Sequence, residues 1–329
     1  MKKKIITLLS LVIILIVTII IAFQLHTSDN KDLTKIKLAE VTHSVFYAPL
    51  YIAIENGYFK DYGIDLDVIL TPGADKVSAA VLSNTVDIGF AGTESAIYIY
   101  EGGEEDYLVT FSGLTKRDGQ FILSRDCNKE FNLTDLYGKE ILVGRLGGMP
   151  SLNFLNAMKN SNIDISKINV NYSVDFASLS GSFIGGMGDY VNLFEPTATA
   201  VVKQGKSCIV ESIGKLSGET PYTAFYTRKS YLKDNEETLK NFTKAIAKGL
   251  EFVKNNDSKT IASTILSQFP DSSLNDIETI VNNYKKYDSW LETPFITESS
   301  FKNLEKILLD NKLINKETSY QDLIHNLYE

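Results

Sequence analysis

The sequence predicts an α/β protein with mostly parallel sheets, helices on the faces of those sheets and a helical C-terminal region. Short runs rich in β-branched and aromatic residues alternate with helical patterns in two sets, first between residues 35 and 125 and then between 140 and 222. After residue 236 the apolar residues recur at helical spacing alone. Alternating strands and helices are typical of mostly parallel sheets, so two such sets predict two lobes around a cleft.

The elements follow in order along the chain. Strands are predicted at 35–39, 66–70, 87–91, 108–112, 121–124, 140–144, 169–174, 191–194, 208–210 and 223–227. Helices are predicted at 49–55, 75–82, 96–100, 152–159, 198–203, 236–255, 259–268, 274–287 and 298–310. We expect the strand at 121–124 to leave the first lobe and the strand at 223–227 to return to it.

The stretch from Glu40 to Phe59 joins the first strand to the first helix through a polar and aromatic turn. Pro49 suits the first turn of a helix, where no intrahelical acceptor is needed for its missing N–H. Asn56 and Gly57 end that helix. In open α/β sheets, ligands bind at such turns, outside the carboxyl ends of the strands. The alternative is an ordinary connection whose aromatic residues belong to the core.

Composition excludes several classes of function. The 329 residues are 44% hydrophobic and 22% charged, with a formal net charge of −8, which indicates a globular protein. Basic residues cluster at the N-terminus alone, so a nucleic-acid partner is not expected. Cys127 and Cys208 are too far apart for a zinc-ligand cluster of the usual spacing. They form either one disulfide or two unpaired thiols.

The N-terminal segment has the features of a membrane anchor. Three lysines, residues 2–4, precede an apolar run from Ile5 to Phe23. As a helix this run would be about 28 Å long, close to the hydrocarbon thickness of a bilayer. The lysines are expected to stay in the cytoplasm and to direct the remaining chain outward. We therefore expect an uncleaved signal-anchor at the outer face of the cytoplasmic membrane, with a cleaved leader and secretion as the alternative.

Several motifs resemble one known family. The run 46–53, the run 55–59, Gly63–Leu66, Gly73–Leu82 and 87–92 are similar to the first half of the solute-binding proteins of ABC importers for nitrate, sulfonates, taurine and thiamine-precursor pyrimidines. The runs 189–196 and 218–231 resemble the second half of the same proteins. The resemblance covers residues 36 to about 253, and the combination of motifs is specific where any one of them would be weak.

This resemblance implies a two-lobed periplasmic-binding fold of type II that closes on a small solute and docks on an ABC permease. We assign residues 1–30 to the anchor and its tether, 31–125 with 223–329 to lobe 1, and 126–222 to lobe 2. A monomer without a cofactor or a metal is expected. Two alternatives remain: an enzyme of the same fold related to thiamine-pyrimidine synthesis, and an extracellular sensory domain. The first would need a cysteine-rich motif that this chain lacks, and the second an output domain for which too few residues precede the apolar run.

Candidate ligand-binding residues of the first lobe lie at the ends of its strands. They are His43, Ser44, Phe46, Tyr47, Gly92, Thr93, Glu94 and Arg117. The His43 imidazole could exchange a hydrogen bond with a ligand, and the rings of Phe46 and Tyr47 could stack on a flat ligand. N–H groups at the start of the helix after residue 92 could receive an anion. The guanidinium could hold a carboxylate or sulfonate with two donors. The alternatives are a turn position for His43, core packing for the two aromatic rings, ordinary helix capping after residue 92, and a salt bridge between Arg117 and Asp118.

Candidate residues of the second lobe occupy the corresponding turns. They are Gly147, Gly148, Ser151, Phe176 and Glu195. The paired glycines allow close approach of the backbone to a ligand, and the glutamate could accept from an amino or ring N–H group. The aromatic and acidic character of these turns favours a nitrogen heterocycle or amino-bearing solute slightly over a sulfonate-type anion.

Overall fold

Two five-stranded sheets form the framework of the protein in a computed structural model, which describes residues 33–128, 130–205 and 207–328. The strands are β1 Thr34–Glu40, β2 Ile64–Leu70, β3 Ile88–Gly92, β4 Leu108–Thr115, β5 Gln120–Ser124, β6 Glu140–Leu142, β7 Asn169–Asn171, β8 Tyr190–Phe194, β9 Cys208–Ser212 and β10 Thr223–Arg228. The first sheet has the order β2-β1-β3-β10-β4 and the second the order β7-β6-β8-β5-β9.

Each sheet is mostly parallel, as the sequence predicts, and contains one strand that runs against its neighbours. In the first sheet β1 and β3 are parallel, while β10 is antiparallel to both β3 and β4. In the second sheet β6 is parallel to β7 and β8, while β5 is antiparallel to β8 and β9. These two antiparallel strands are the first strands that the chain forms after it crosses from one sheet to the other.

Helices flank both sheets and dominate the C-terminal region. They are α1 Ala48–Glu55, α2 Tyr58–Asp61, α3 Ala74–Leu82, α4 Glu94–Glu101, α5 Met149–Asn160, α6 Leu179–Ile184, α7 Thr197–Lys203, α8 Ile213–Ser217, α9 Lys229–Asp234, α10 Glu236–Asn255, α11 Ser258–Ile265, α12 Leu274–Lys286, α13 Glu298–Asp310 and α14 Tyr320–Leu323. The fold class predicted from the sequence is therefore confirmed.

The core of the first sheet depends on the packing of α1 against α10. Helix α1 is buried at every position from 48 to 53, because it is apolar on all sides and not along one stripe. Helix α10 is amphipathic and buries the predicted periodic residues, Leu239, Phe242, Ile246 and Leu250. A Cβ at Gly249 would lie 3.0 Å from the carbonyl carbon of Pro49, so glycine permits this close approach.

The two crossings between the sheets contact each other. The chain leaves the first sheet after Thr115 and enters the second at Gln120, which lies before the expected boundary at residue 125. It returns between Ser212 and Thr223. A Cβ at Gly214 in the second crossing would lie 3.2 Å from the carbonyl carbon of Asp118 in the first.

Cys127 and Cys208 form a disulfide, which resolves the two alternatives left open by the sequence. Their Cα atoms are 5.8 Å apart, within the usual range for a disulfide. The bridge joins the chain just after β5 to the start of β9, and these two strands are neighbours in the second sheet.

The segment expected to be a membrane anchor, residues 1–30, lies outside the described residues. Within the part of the chain that the structure describes, no helix combines the length and the apolar character needed to cross a membrane.

Candidate functional site

A cavity of about 190 Å³ lies between the two sheets. The first sheet contributes the turn after β1, the turn before α3, and the ends of β3 and β10, while the second contributes the turns at 144–150 and 175–178 and the end of β8. Its lining comprises residues 41–42, 72–76, 144–145, 148–150 and 175–178, with Tyr47, Gly92, Glu94, Phe194, Tyr222 and Thr223. We refer to this cavity as the cleft.

Aromatic rings from both sheets line the cleft. Phe176 and Phe194 belong to the second sheet and its loops, and their ring centroids are 5.7 Å apart. Phe194 is also 6.2 Å from Tyr222, which precedes β10. Tyr47 completes the set and packs against Phe90 of β3, with 4.4 Å between ring centroids. This arrangement offers apolar surface to a flat ligand.

Glu94 is the charged side chain buried in the cleft, with a relative exposure of 1%. Its Oε1 accepts a hydrogen bond from the backbone N–H of Met149, at 3.3 Å, and Oε2 has no hydrogen-bond partner among the described residues. Burial raises the pKa of Glu94 to about 7, although the charge of Arg145 and backbone N–H groups lower it. The carboxyl group is therefore suited to a ligand that carries N–H groups.

The other charged side chains of the cleft lie at its rim. Lys76 and Arg145 are exposed, as are Asp75 and Asp175. Among the described lining residues, no positive charge is buried. The interior of the cleft therefore has an acidic and aromatic character, with the mixed charges exposed to solvent.

Gly92 allows Glu94 to occupy this position. A Cβ at Gly92 would overlap with the Glu94 carboxylate and would lie 2.6 Å from Cγ of Met149. We expect Gly92→Ala to lower the free energy of unfolding by about 2 kcal/mol, because overpacking of a well-packed site typically costs 1–3 kcal/mol. Urea denaturation measures this change.

Gly181→Ala is the matched control, because a Cβ at Gly181 would have no atom of the described residues within 4 Å. It lies in α6 without a positive φ, so alanine there is expected to be neutral or stabilising. Equal stability of the two variants would contradict the steric role of Gly92.

Five of the predicted residues line the cleft: Tyr47, Gly92, Glu94, Gly148 and Phe176. The other eight do not: His43, Ser44, Phe46, Thr93, Arg117, Gly147, Ser151 and Glu195. Seven of these eight residues have contacts in other parts of the fold. The exception is Thr93, whose buried hydroxyl has no hydrogen-bond partner among the described residues.

His43 is held by residues close to it and far from it in sequence. Its Nδ1 is 3.1 Å from Oε2 of Glu40, and its Nε2 donates to the carbonyl oxygen of Gln268 at 2.9 Å. Burial would lower the pKa of His43, but hydrogen bonding with Glu40 and the charge of that carboxylate raise it above 6.5. Both ring nitrogens therefore have partners within the protein.

Ser44 and Glu195 form a contact behind the cleft. Ser44 Oγ donates to the carbonyl oxygen of Glu195. The Glu195 carboxylate accepts from the backbone N–H and the hydroxyl of Thr199, at 2.8 and 2.9 Å. It therefore satisfies an N–H group in the first turn of α7, which would otherwise lack an acceptor. Burial raises the pKa of Glu195 despite these two hydrogen bonds.

Arg117 forms salt bridges at the surface. Its Nη2 lies 2.9 Å from Oε1 of Glu219 and 3.8 Å from Oδ2 of Asp288, so the expected ion-pair alternative is correct but Asp118 is not the partner.

Phe46 is fully buried, with 5.1 Å between its ring centroid and that of Tyr284. It packs behind the aromatic rings that line the cleft and does not itself face the cleft.

Two predicted residues on the side of the second sheet, Ser151 and Gly147, lie in the turn next to the cleft or contact it. Ser151 Oγ donates to the carbonyl oxygens of Arg145 and Gly148, at 2.8 and 3.0 Å, and so fixes the turn before α5. The carbonyl of Gly147 accepts from the Tyr98 hydroxyl at 2.8 Å. Thr93 is fully buried.

Sequence reasoning missed several residues that line the cleft, above all Arg145, Phe194 and Tyr222. Phe194 ends a strand next to Glu195, so its position was a usable signal. Tyr222 directly precedes the strand that returns to the first sheet. A residue at such a crossing lies between the two sheets, so its position was also a usable signal.

Comparisons with known proteins agree with this architecture. The family model described as NMT1/THI5-like matches residues 45–260. The chain is 40% identical over 310 residues to the Bacillus subtilis (strain 168) protein named "Putative binding protein YtlA", covering 94% of this chain and 93% of that protein.

Solved structures show the same fold. The alkanesulfonate-binding protein SsuA from Xanthomonas axonopodis pv. citri bound to MOPS matches with a TM-score of 0.71 at 14% identity, covering 89% of this chain and 99% of that one. A ligand-binding component of an ABC-type import system from Staphylococcus aureus with zinc bound also matches with a TM-score of 0.71 at 14% identity, covering 90% and 98%. At these identities the likeness establishes the periplasmic-binding fold expected from the sequence.

Proposed function

The chain belongs to the NMT1/THI5-like family, and from this premise we propose that it is the extracytoplasmic solute-binding component of an ABC importer. Two lobes close around a small solute, which is then delivered to a permease in the membrane. The cleft between the sheets and the binding-protein name of the Bacillus subtilis relative support this role. The disulfide supports a location outside the cytoplasm, because such bonds persist in oxidising compartments.

The two sheets are the cores of the two lobes in this proposal. Lobe 1 comprises the chain from β1 to the crossing at 116–119 and the chain from residue 223 onward. Lobe 2 comprises the residues between that crossing and residue 223. The lobes move about the two crossings, which contact each other at Asp118 and Gly214. An uncleaved N-terminal segment holds the protein at the outer face of the cytoplasmic membrane.

The solute is a flat nitrogen heterocycle with amino or ring N–H groups, of which an aminopyrimidine is the model. The observation that carries this choice is the buried Glu94 carboxyl, whose Oε2 has no hydrogen-bond partner among the described residues, beside the aromatic rings that line the cleft. The cavity of about 190 Å³ is smaller than the sites of roughly 300–1,000 Å³ that hold drug-sized ligands. A single substituted ring fits a cavity of this smaller volume.

An anionic solute such as a sulfonate or nitrate is disfavoured. Helix N-termini bind anions through their free N–H groups. At the N-terminus of α5, however, the N–H of Met149 already donates to the Glu94 carboxylate. An anion placed there would displace this contact and would meet a like charge whenever Glu94 is ionised.

Thermal-shift measurements on the full-length protein in detergent test the solute class. We expect 4-amino-2-methylpyrimidine to raise the melting temperature, because a solute bound to the folded state alone stabilises it by about 2.7 kcal/mol at 100 times its Kd. Taurine, methanesulfonate and nitrate are expected to have little effect. Stabilisation by these anions, with none by the aminopyrimidine, would reverse the assignment of the solute.

A further inference from the structure

Helix α4 contacts the opposite side of the cleft through two side chains that lie one turn apart. Glu94 and Tyr98 are separated by four residues and therefore project from the same face of the helix. Both reach the turn at 147–149, which leads from β6 into α5. Glu94 accepts from the N–H of Met149, and Tyr98 donates to the carbonyl oxygen of Gly147.

The geometry of the turn suits these contacts. Gly147 has a φ of +83°, a conformation that glycine adopts without strain. The Tyr98 hydroxyl would lie 3.4 Å from a Cβ at Gly147, so the ring packs closely over the turn. Gly92, without a side chain, leaves the space that the Glu94 carboxylate and Met149 occupy.

The two oxygens of Glu94 have different roles. Oε1 binds the opposite side of the cleft, while Oε2 is buried and has no partner among the described residues. A buried acceptor without a donor opposes the closed arrangement. A solute that donates to Oε2 removes this cost without disturbing the contact at Oε1, so occupancy of the cleft and closure favour each other.

We propose that Glu94 and Tyr98 form a latch that holds the two lobes closed, and that Glu94 couples the latch to the solute. This inference rests on the proposed solute-binding function and adds the residues through which occupancy acts on closure. Tyr98 is a positioning residue that does not line the cleft, whereas Glu94 both lines the cleft and bridges it.

Other contacts between the two sides lie outside the cleft lining. One is the buried hydrogen bond from Ser44 Oγ to the carbonyl oxygen of Glu195. The others include ion pairs of exposed lysine side chains, Lys159 with Asp310 and Lys203 with Asp276. Exposed ion pairs contribute little to stability and are screened by salt. They lie outside the cleft lining and therefore do not respond to the solute directly.

Hydrogen exchange in the full-length protein, read on peptides that cover residues 146–152, tests the latch. Tyr98→Phe removes one of its hydrogen bonds, so we expect exchange in these peptides to be at least threefold faster than in the wild type. Tyr100→Phe is the matched control, because that hydroxyl donates to Asp322, away from the turn, at 3.0 Å. Equal exchange in Tyr98→Phe and Tyr100→Phe would overturn the proposal.

Two substitutions at Glu94 test whether its Oε1 acceptor is part of the latch. Glu94→Gln keeps a side-chain oxygen that can accept from Met149, so exchange at 146–152 is expected to stay within twofold of the wild type. Glu94→Ala removes the acceptor and is expected to accelerate exchange as Tyr98→Phe does. Protection that survives in Glu94→Ala would show that the carboxyl is not part of the latch.

The solute enters as a separate measurement. Saturating 4-amino-2-methylpyrimidine is expected to slow exchange at 146–152 in the wild type, and its dissociation rate is expected to rise at least threefold in Tyr98→Phe but not in Tyr100→Phe. If this compound has no effect while Tyr98→Phe still accelerates exchange, the latch stands and the proposed solute class fails.

Discussion

Reduction of the Cys127–Cys208 disulfide is expected to lower the free energy of unfolding by about 4 kcal/mol. The bridge closes a loop with a sequence separation of 81 residues, and a crosslink of that span removes much of the entropy of the unfolded chain. The loop contains β6, β7 and β8 and the helices between them, so the loss falls on the second sheet. Urea denaturation with and without a phosphine reductant, followed by circular dichroism, measures the change.

The double variant Cys127→Ser, Cys208→Ser is the control for chemical effects of the reductant. It is expected to unfold like the reduced wild type and to be insensitive to the reductant. Trp290 reports on the first sheet, because it forms a bridge with Thr115 of β4, so its fluorescence should change less than the dichroism at low urea. An unchanged denaturation midpoint after complete reduction would contradict a stabilising role for the bridge.

The fold could be predicted from the sequence where its signals are local. The bounds of α10 and α13 match the predicted helices at 236–255 and 298–310, because their amphipathic patterns are long and their first turns are acidic. Helix α6 was missed because three glycines, at 181, 185 and 186, indicate a loop. The sheet to which β5 belongs depends on pairing with β8 and β9, which no local pattern records.

Some residues of the cleft could also be predicted, because their signals in the sequence are local. Tyr47, Gly92 and Glu94 lie at or shortly after the ends of strands of the first sheet, and position relative to a strand end is readable from sequence. His43 and Arg117 also follow strands, but Gln268 and Asp288 from the C-terminal helical region bind them. Those partners are 225 and 171 residues away, so the sequence alone could not identify them.

The free energy of unfolding is expected to fall as pH rises from about 4 to 8, and Asp118 is expected to make the largest single contribution. Its side chain is buried at the first crossing, and burial raises the pKa of Asp118 from 3.8 to about 8. The N–H of Gln120, 2.6 Å from Oδ1, and the Tyr222 hydroxyl lower the pKa but do not offset burial. The carboxyl group is therefore protonated in the folded protein at neutral pH.

The direction of the pH dependence follows from proton linkage. Between about pH 4 and pH 8 the folded state holds a proton on Asp118 that the unfolded state has released, so rising pH favours unfolding. One such proton changes stability by about 1.4 kcal/mol per pH unit, or on the order of 5 kcal/mol across the window. The contribution is complete below the unfolded pKa and is lost as pH rises through the folded one.

Asp118→Asn isolates this contribution. The amide oxygen can still accept from the Gln120 N–H, and the side chain remains neutral at every pH. The stability of the variant relative to the wild type is therefore expected to rise by several kcal/mol between pH 5 and pH 9. The raised pKa values of Glu94, Glu195 and His43 act in the same direction in both proteins, so they cancel from the difference. Urea denaturation from pH 5 to 9 gives that difference directly, and a difference that stays constant with pH would mean that Asp118 is already ionised in the folded protein.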